Sequence, residues 1–321
     1  MRLRHLIAAV IVLAASIPGH ADETFPSKPV RIIVPAAPGG PIDTVARILA
    51  DGLKSAWPVA VVVENRTGAG TSTGGAYVAA SPPDGYTLLV NPDSIAVNPH
   101  LYPNTPDPLK VFEPVSMLVT ATQVLVVRPD LGVNDLQGFL ALARSKQTGL
   151  NMASAGAGTI SHLTEVLLEL RTDIRTTHIP FKGAAPALTA ILGGHVDAMW
   201  VMLAPASAHL ASGKIKAIAV TSAVRDPKLP NVPTVEESGL ANFQVVNWQG
   251  LFAPAGTPKP IAEKISRTVA DVLQKPDMKQ RMAAVGFDAR GDGPAVVADL
   301  IRQSLPRWGD VVKRANIRAS D

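Results

Sequence analysis

The stretch that most restricts the fold is Val30 to Arg47, V-R-I-I-V-P-A-A-P-G-G-P-I-D-T-V-A-R. Val30, Ile32, Ile33 and Val34 form a short β-branched apolar run, the pattern of a strand covered on both faces. Pro35 and Pro38 cannot extend a strand or enter a helix interior. Gly39 and Gly40 allow a sharp turn with uncovered N–H groups. Pro41 suits a first helical turn, and Val45, Ile48, Leu49 and Leu53 then recur at helical spacing. A strand, a glycine turn and a helix start belong to an α/β sheet, where ligands bind beyond the carboxyl ends of the strands. Free N–H groups and the helix dipole favour an anion there. An ordinary βα turn with Asp43 helping to cap its helix fits the same residues, and the stretch alone leaves both readings open.

The unit is extended and then repeated. Val59 to Glu64 reads as a second strand, Asn65 to Gly75 as a glycine-rich loop, Ala76 to Ala80 as a short helix and Thr87 to Val90 as a third strand. That βαβαβ order implies a parallel sheet with right-handed crossovers. Asn91 to Pro114 is irregular and rich in proline, a length of loop that usually carries function or packs over something. Val115 to Val119 and Gln123 to Arg128 read as strands and Leu136 to Ser145 as a helix. The second copy of the unit is the strand Leu150 to Ala153, the small-residue turn Ser154 to Thr159 and the helix Ile160 to Leu170. Strands at Thr176 to Pro180, Ala198 to Met202 and Ile218 to Thr221 alternate with helices at Ala184 to Leu192 and Ala204 to Ser212. After a proline-rich loop from Asn231 comes Val245 to Phe252. The amphipathic helices Ile261 to Leu273, Asp277 to Val285 and Val296 to Arg314 have no sheet of their own, so they are expected on the first domain. The expected division is 22–122 with 223–321 for one lobe and 123–222 for the other. The crossings near Thr122 and Thr221 act as a two-segment hinge.

A chain of 321 residues is long enough for two modest domains. It has no cysteine, which excludes a thiol nucleophile, a thiolate metal site and disulfides. Net charge is +4 with no basic block, so there is no nucleic-acid footprint. Arg2 and Arg4 precede the apolar run Leu6 to Ile17, which Pro18 and Gly19 break before small residues. This reads as a secretory signal peptide over residues 1–21, too short to span a membrane, with no cysteine for a lipid anchor. The expected mature protein begins near Asp22 and is exported to the periplasm.

Gly70-Thr71-Ser72-Thr73-Gly74 matches the G-x-S-x-G pattern of serine hydrolases. Several loop residues separate it from the strand that ends near Glu64, whereas a nucleophile elbow is abrupt. No spacing singles out His178, His195 or His209 as a partner, and a glycine loop at the sheet edge is the preferred reading. Gly68, Gly70 and Gly74 miss the dinucleotide spacing by one residue. The histidines are scattered without a metal-binding pattern, and neither metal nor cofactor is expected. His162, in the first turn of its helix, suits either an anion contact or a polar surface. Lys182 suits a carboxylate contact or plain solvation. Asp197 reads as a structural cap, and Trp200 and Trp248 as cleft or core.

Several ordered motifs together resemble one family. They are P-S-K-P-V-R-I-I-V-P-x-x-P-G-G-x-x-D (Pro26 to Asp43), V-V-E-N-R-x-G-A-G (Val62 to Gly70), P-P-D-G-Y-T-L-L (Pro82 to Leu89) and N-P-x-L-Y (Asn98 to Tyr102). A-S-A-G-x-G-T-x-S-H-L (Ala153 to Leu163), F-K-G-x-x-P-A-L (Phe181 to Leu188) and A-P-A-G-T-P-K-P (Ala253 to Pro260) complete the set. The chain resembles the tripartite tricarboxylate transporter solute receptors, the Bordetella-uptake-type periplasmic binding proteins, from about Pro26 to Arg318. The resemblance implies a two-lobed type II periplasmic binding protein, each lobe a mostly parallel sheet flanked by helices. It implies a monomer without catalytic activity that closes on a small organic carboxylate and delivers it to membrane permease subunits. Family receptors hold one carboxylate between a loop on each lobe, through backbone N–H groups and ordered water. Carried over, the first loop is Ala37, Gly39, Gly40 and Asp43 and the second is Ala155, Gly158, Thr159 and His162, with Asp93 and Ser94 as a further contact.

The chain departs from the family pattern in two places. Where many relatives carry F-D-N-L-P, it has Trp200-Val201-Met202-Leu203-Ala204, and Thr67 replaces a usual proline. An acidic, amide-bearing wall has become apolar. Trp200, Val201 and Met202 therefore favour a mono- or dicarboxylate with an apolar or aromatic body over an amino acid. The alternatives are an exported serine hydrolase using Ser72 and a ligand sensor that docks on a signalling partner.

Overall fold

The computed structural model describes residues 25–318, so the signal-peptide expectation lies outside the described residues. The strands in chain order are β1 (Val30–Val34), β2 (Val61–Asn65), β3 (Thr87–Pro92), β4 (Phe112–Val127) and β5 (Leu150–Ser154). They continue with β6 (Thr176–Pro180), β7 (Ala198–Met202), β8 (Lys216–Val220), β9 (Val246–Pro254) and β10 (Asp288–Asp292). Hydrogen bonding runs in the order β2-β1-β3-β9-β4-β7-β5-β6, with β8 and β10 added on β4. β1 pairs in parallel with β2 and β3, and β5 with β6 and β7, as strand–helix units require. The strands that carry the chain between the halves, β4 and β9, pair antiparallel to their neighbours. Each sheet is therefore mixed, with the parallel strands coming from the repeated units.

β4 is one continuous strand of 16 residues where two were expected. Pro114 is accommodated at a register shift against β9, where a lost N–H costs little. The first half of β4 pairs with β9 and β10 and the second half with β7 and β8, so one strand belongs to both sheets. Alternation along the strands builds a core on each side of each sheet. Ile32 packs with Val45, Leu49 and Leu53 of the helix Pro41–Lys54, while Ile33 packs with Val78, Phe112 and Phe252 on the other side. In the second half Leu125 and Val127 face Phe139 and Leu163, while Val124 and Val126 face Ile191 and Val196. Leu49, Leu53 and Phe139 are fully buried, each contributing about 1.5–3 kcal/mol relative to exposure.

The helices Lys259–Gln274 and Pro276–Ala284 pack on the first half, as expected, through Ile265, Val269, Val272 and Met278. The helix Pro294–Arg314 does not stay there. Val297 and Ile301 pack in the first half, whereas Trp308, Val311 and Val312 lie in the core of the second. Val235, Phe243 and Val245 also pack on the second half. Val245 N–H donates to Thr221 O (3.2 Å) and Thr221 N–H to Gln123 O (3.0 Å), so the chain re-enters the first sheet only at Val246.

Candidate functional site

The second glycine unit is built from its own side chains. β5 ends at Ser154, and Gly156 (φ +134°) and Gly158 (φ +75°) take conformations open to glycine. Gly156 N–H donates to Ser154 Oγ (3.1 Å), and that hydroxyl pairs with His178 Nε2 at 2.6 Å. Ala155 N–H donates to Ser161 Oγ (3.2 Å), and Thr159 Oγ1 donates to Gly156 O (2.7 Å). No side chain caps the helix Ile160–Thr172, so its first-turn N–H groups remain available to a ligand. A Cβ built on Gly158 would come within 2.7 Å of Leu101 Cδ1, so this turn touches the first half directly.

His162 lies beneath the turn instead of facing a ligand. It is 8% exposed, accepts a hydrogen bond from Gly158 N–H at Nδ1 (3.1 Å) and stacks on His178 with ring centroids 3.7 Å apart. Burial, helped by the neighbouring His178, pushes its imidazole down to about 4, and burial lowers His178 as well. Neutral imidazole is the form that can accept from Gly158.

The first glycine unit is stapled in a similar way by Asp43, which is 2% exposed. Its carboxylate accepts from Gly39 N–H (2.8 Å), Arg47 Nε (2.8 Å) and Asn65 Nδ2 (2.8 Å). Burial raises the Asp43 carboxyl, but the bonds from Arg47, Gly39 and Asn65 outweigh it and hold the group below its ordinary value. Asn65 Nδ2 also donates to Ala36 O (2.9 Å). Asp43 therefore acts as a loop anchor, and it engages the Gly39 N–H that an anion would otherwise take.

A cavity of about 220 Å³ lies where the halves meet. Asp93, Ser94 and Val97 come to it from the first half, and Ala155 with Gly158 to Ser161 from the uncapped helix start. Met199, Trp200, Val201 and Met202 form its apolar wall, and Gln123 and Asn247 enter from β4 and β9. Of the expected site residues, Asp93, Ser94, Ala155, Gly158, Thr159, Trp200 and Val201 are brought together here. Ala37, Gly39, Gly40, Asp43 and His162 do not line this cavity. Gln123 and Asn247 were not anticipated; their only trace in the sequence is an amide in a largely apolar strand.

The lining is short of internal partners. Gln123 Oε1, Asn247 Oδ1 and Trp200 Nε1 are buried with no hydrogen-bond partner among the described residues. Asp93 accepts from Asn247 Nδ2 (3.0 Å). Burial pushes its carboxyl up to about 7 against the opposing bonds from Asn247 and the N–H groups of Trp248 and Ser94. Ser94 Oγ also pairs with Thr71 Oγ1 at 3.2 Å.

Elsewhere the sites weighed in the sequence resolve as structure. Asp197 accepts from Arg128 Nε (3.0 Å) and Asn151 N–H (2.9 Å). Ser72 opens the helix Ser72–Ala79 in relaxed geometry (φ −68°, ψ −31°), without the strain of a nucleophile elbow. Its Oγ meets Asn98 Nδ2 at 3.4 Å, and no histidine or carboxylate is bonded to it among the described residues. Among the described residues no cluster of histidines and carboxylates is arranged to hold a metal.

Two α/β lobes joined by shared strands, with a cavity between them, define the class: this is the fold of the periplasmic binding proteins. The chain belongs to the tripartite tricarboxylate transporter family receptors, whose model matches residues 45–317. It is 34% identical to Protein BugT of Bordetella pertussis, over 99% of each chain. It is 36% identical to MatC of Rhodopseudomonas palustris, solved with bound malate, over 90% of this chain and 100% of that one, with a TM-score of 0.71. A second R. palustris protein, solved with adipate, is 29% identical over 92% of this chain and 99% of its own, with a TM-score of 0.76. Among the described residues no helix is long and apolar enough to cross a membrane.

Proposed function

We propose that this protein is exported by its N-terminal signal peptide and captures a small organic carboxylate by lobe closure for a tripartite tricarboxylate-type permease. The observation that carries the reading is the uncapped start of the helix Ile160–Thr172 on a cavity whose remaining wall is largely apolar. Backbone N–H groups at a helix start bind an anion without a guanidinium. No lysine or arginine lines the cavity. The amides of Gln123 and Asn247 stand in the lining and suit a hydroxyl or a second carboxyl group. Met199, Trp200, Val201 and Met202 favour an aliphatic or aromatic body, and malate and adipate in the two relatives are of the matching class.

An amino acid is disfavoured. Asp93 is the one carboxyl in the lining, it already accepts from Asn247, and burial raises it to about 7, so it is only partly ionised at neutral pH before an ammonium group arrives. Lobe motion follows from the two crossings, which we place at Thr122–Gln123 and Val245–Val246. The first loop, Ala37 to Gly40, closes on the ligand from the opposite lobe in this scheme. Bound anion then sits in a drier site, which strengthens its hydrogen bonds and drives the shift to the closed form.

The test is isothermal titration of the mature protein with malate, adipate, benzoate, citrate, aspartate and glutamate. Saturable binding to one carboxylate class, with the amino acids weaker, is the expected result. Tighter binding of aspartate or glutamate than of any simple carboxylate would remove the apolar-body argument. Pull-down of the permease subunits with and without that ligand tests delivery.

A further inference from the structure

The turn that opens the helix Ser72–Ala79 is strained. Thr71 lies in the left-handed region (φ +86°, ψ −8°), directly after Ala69 (φ +43°) and Gly70 (φ +57°). A β-branched residue is a rare occupant of that region, and such strain collects at ligand clamps. Glycine would hold the same turn freely, so what threonine adds is its side chain. The ordinary use of a threonine hydroxyl at a helix start is to cap it, but Thr71 makes no cap bond.

The hydroxyl is committed elsewhere, and its neighbours set its direction. Asn98 is buried, and its Nδ2 meets Gly70 O at 2.5 Å. A carbonyl can only accept, which fixes the nitrogen on that side of the amide. The same nitrogen donates to Thr71 Oγ1 (3.0 Å). Thr71 Oγ1 has one other bonded partner among the described residues, Ser94 Oγ at 3.2 Å, so its own proton goes there. Ser94 Oγ has no further partner among the described residues, which leaves its proton free. Ser94 belongs to the short helical turn Asp93–Ala96 and stands in the lining of the cavity between the lobes. Its N–H is already taken by the Asp93 carboxyl, so the hydroxyl is what Ser94 can offer a ligand. Donors in series polarise one another, and the chain from Asn98 through Thr71 makes Ser94 a stronger donor than an isolated serine.

We propose that Thr71, backed by Asn98, is a positioning residue of the cleft, which directs the Ser94 hydroxyl proton to a carboxylate oxygen of the bound ligand. Thr71 does not line the cleft itself and acts through Ser94. This role rests on the carboxylate reading of the cleft, and it adds a first-lobe donor to the second-lobe helix start at Ile160. The G-x-S-x-G stretch then serves binding through Thr71, not hydrolysis through Ser72.

A double-mutant cycle on the mature protein, read by isothermal titration with malate, adipate, benzoate and citrate, is the test. Ser94→Ala should weaken the carboxylate that wild type binds by about tenfold, and Thr71→Gly by a comparable factor. In the Ser94→Ala background Thr71→Gly should cost nothing more, because the residue acts only through that hydroxyl. Thr71→Gly relieves the backbone, so its melting temperature should not fall below that of wild type although its affinity does. Thr71→Ala removes the hydroxyl without glycine's freedom and should lose the same affinity, while Thr71→Ser, which keeps the hydroxyl, should recover most of it. The proposal is overturned if Thr71→Gly and Thr71→Ala bind like wild type or if the two losses multiply in the double variant. It is equally overturned if the loss of affinity follows a lower melting temperature in both Thr71→Gly and Thr71→Ala. Wild type that binds none of the four carboxylates would remove the reading of the cleft and this role with it.

Discussion

At the scale of single residues, burial has opposed charge at three positions, with opposite consequences for pH. His162 titrates near 6.5 in an unfolded chain and near 4 in this fold. Between those values the unfolded chain binds the extra proton. The contribution of neutral His162 is therefore complete above about pH 6.5 and is lost as pH falls towards 4. Glu165 runs the other way, because burial raises it to about 8, so its contribution is lost as pH rises from 4.5 to that value. Comparison with His162→Gln isolates the histidine, since a glutamine carbonyl can accept from Gly158 N–H but does not titrate. Urea unfolding between pH 4 and 6.5 should show a shallower loss of stability in the variant; parallel curves would show that His162 is not the titrating group. His162→Ala leaves the Gly158 N–H unpaired and should cost about 1–3 kcal/mol at neutral pH. Asp93 governs the ligand instead. It titrates near 7, neutral below and negative above, so a carboxylate meets repulsion only on the alkaline side. Carboxylate affinity should fall as pH rises through 7, and Asp93→Asn should flatten that dependence in calorimetric titrations from pH 6 to 8.

At the scale of elements, the strand–turn–helix units were legible because their residues have no other use. Apolar Val30, Ile32, Ile33 and Val34, the paired glycines and the helical spacing after Pro41 mark β1 and the start of its helix. What stayed hidden was set by partners distant in sequence. Asp288 to Asp292 holds two aspartates, an arginine and a glycine, yet it is a strand because β4 offers it an edge. Pro114 placed the residues before Val115 in an irregular loop, but β4 begins at Phe112, and the register shift that accommodates the proline depends on β9. In the site, the second glycine turn could be read directly, whereas Gln123 and Asn247 could not, because only the pairing of β4 and β9, which sets Asn247 opposite Ala121, brings it near Gln123. His162 was legible as a residue of the turn but not in its role, which depends on His178 from β6. The turn carries its own prediction. Gly158→Ala forces a left-handed residue and drives a Cβ into Leu101 of the other lobe. Carboxylate affinity should drop by tenfold or more with the far-ultraviolet circular dichroism unchanged, and unaltered binding would take Gly158 out of the site.

At the scale of the whole molecule, the two lobes are tied by more than their crossing strands. The helix Pro294–Arg314 starts on one lobe and ends in the core of the other, where Trp308 is 4% exposed. Trp308→Ala should cost about 3–5 kcal/mol in urea unfolding, and a loss below 1 kcal/mol would mean that the helix end is not part of the second core. Ligand binding should act on the same scale. At roughly one hundred times its dissociation constant, a carboxylate that binds only the folded chain adds about 2.7 kcal/mol, and closure should reduce the radius of gyration in solution scattering. The position of β9 has a further meaning, in the order of synthesis. It lies between β3 and β4, so the sheet begun by residues 30–34 has a gap at its centre until residues 246–254 have been made. The strands of the other sheet, β5 to β8 with the second half of β4, are all present by residue 220. A chain emerging from its amino end can therefore complete the later lobe's strand pairing first, while β1 to β3 of the earlier lobe wait for the strand that joins them to β4.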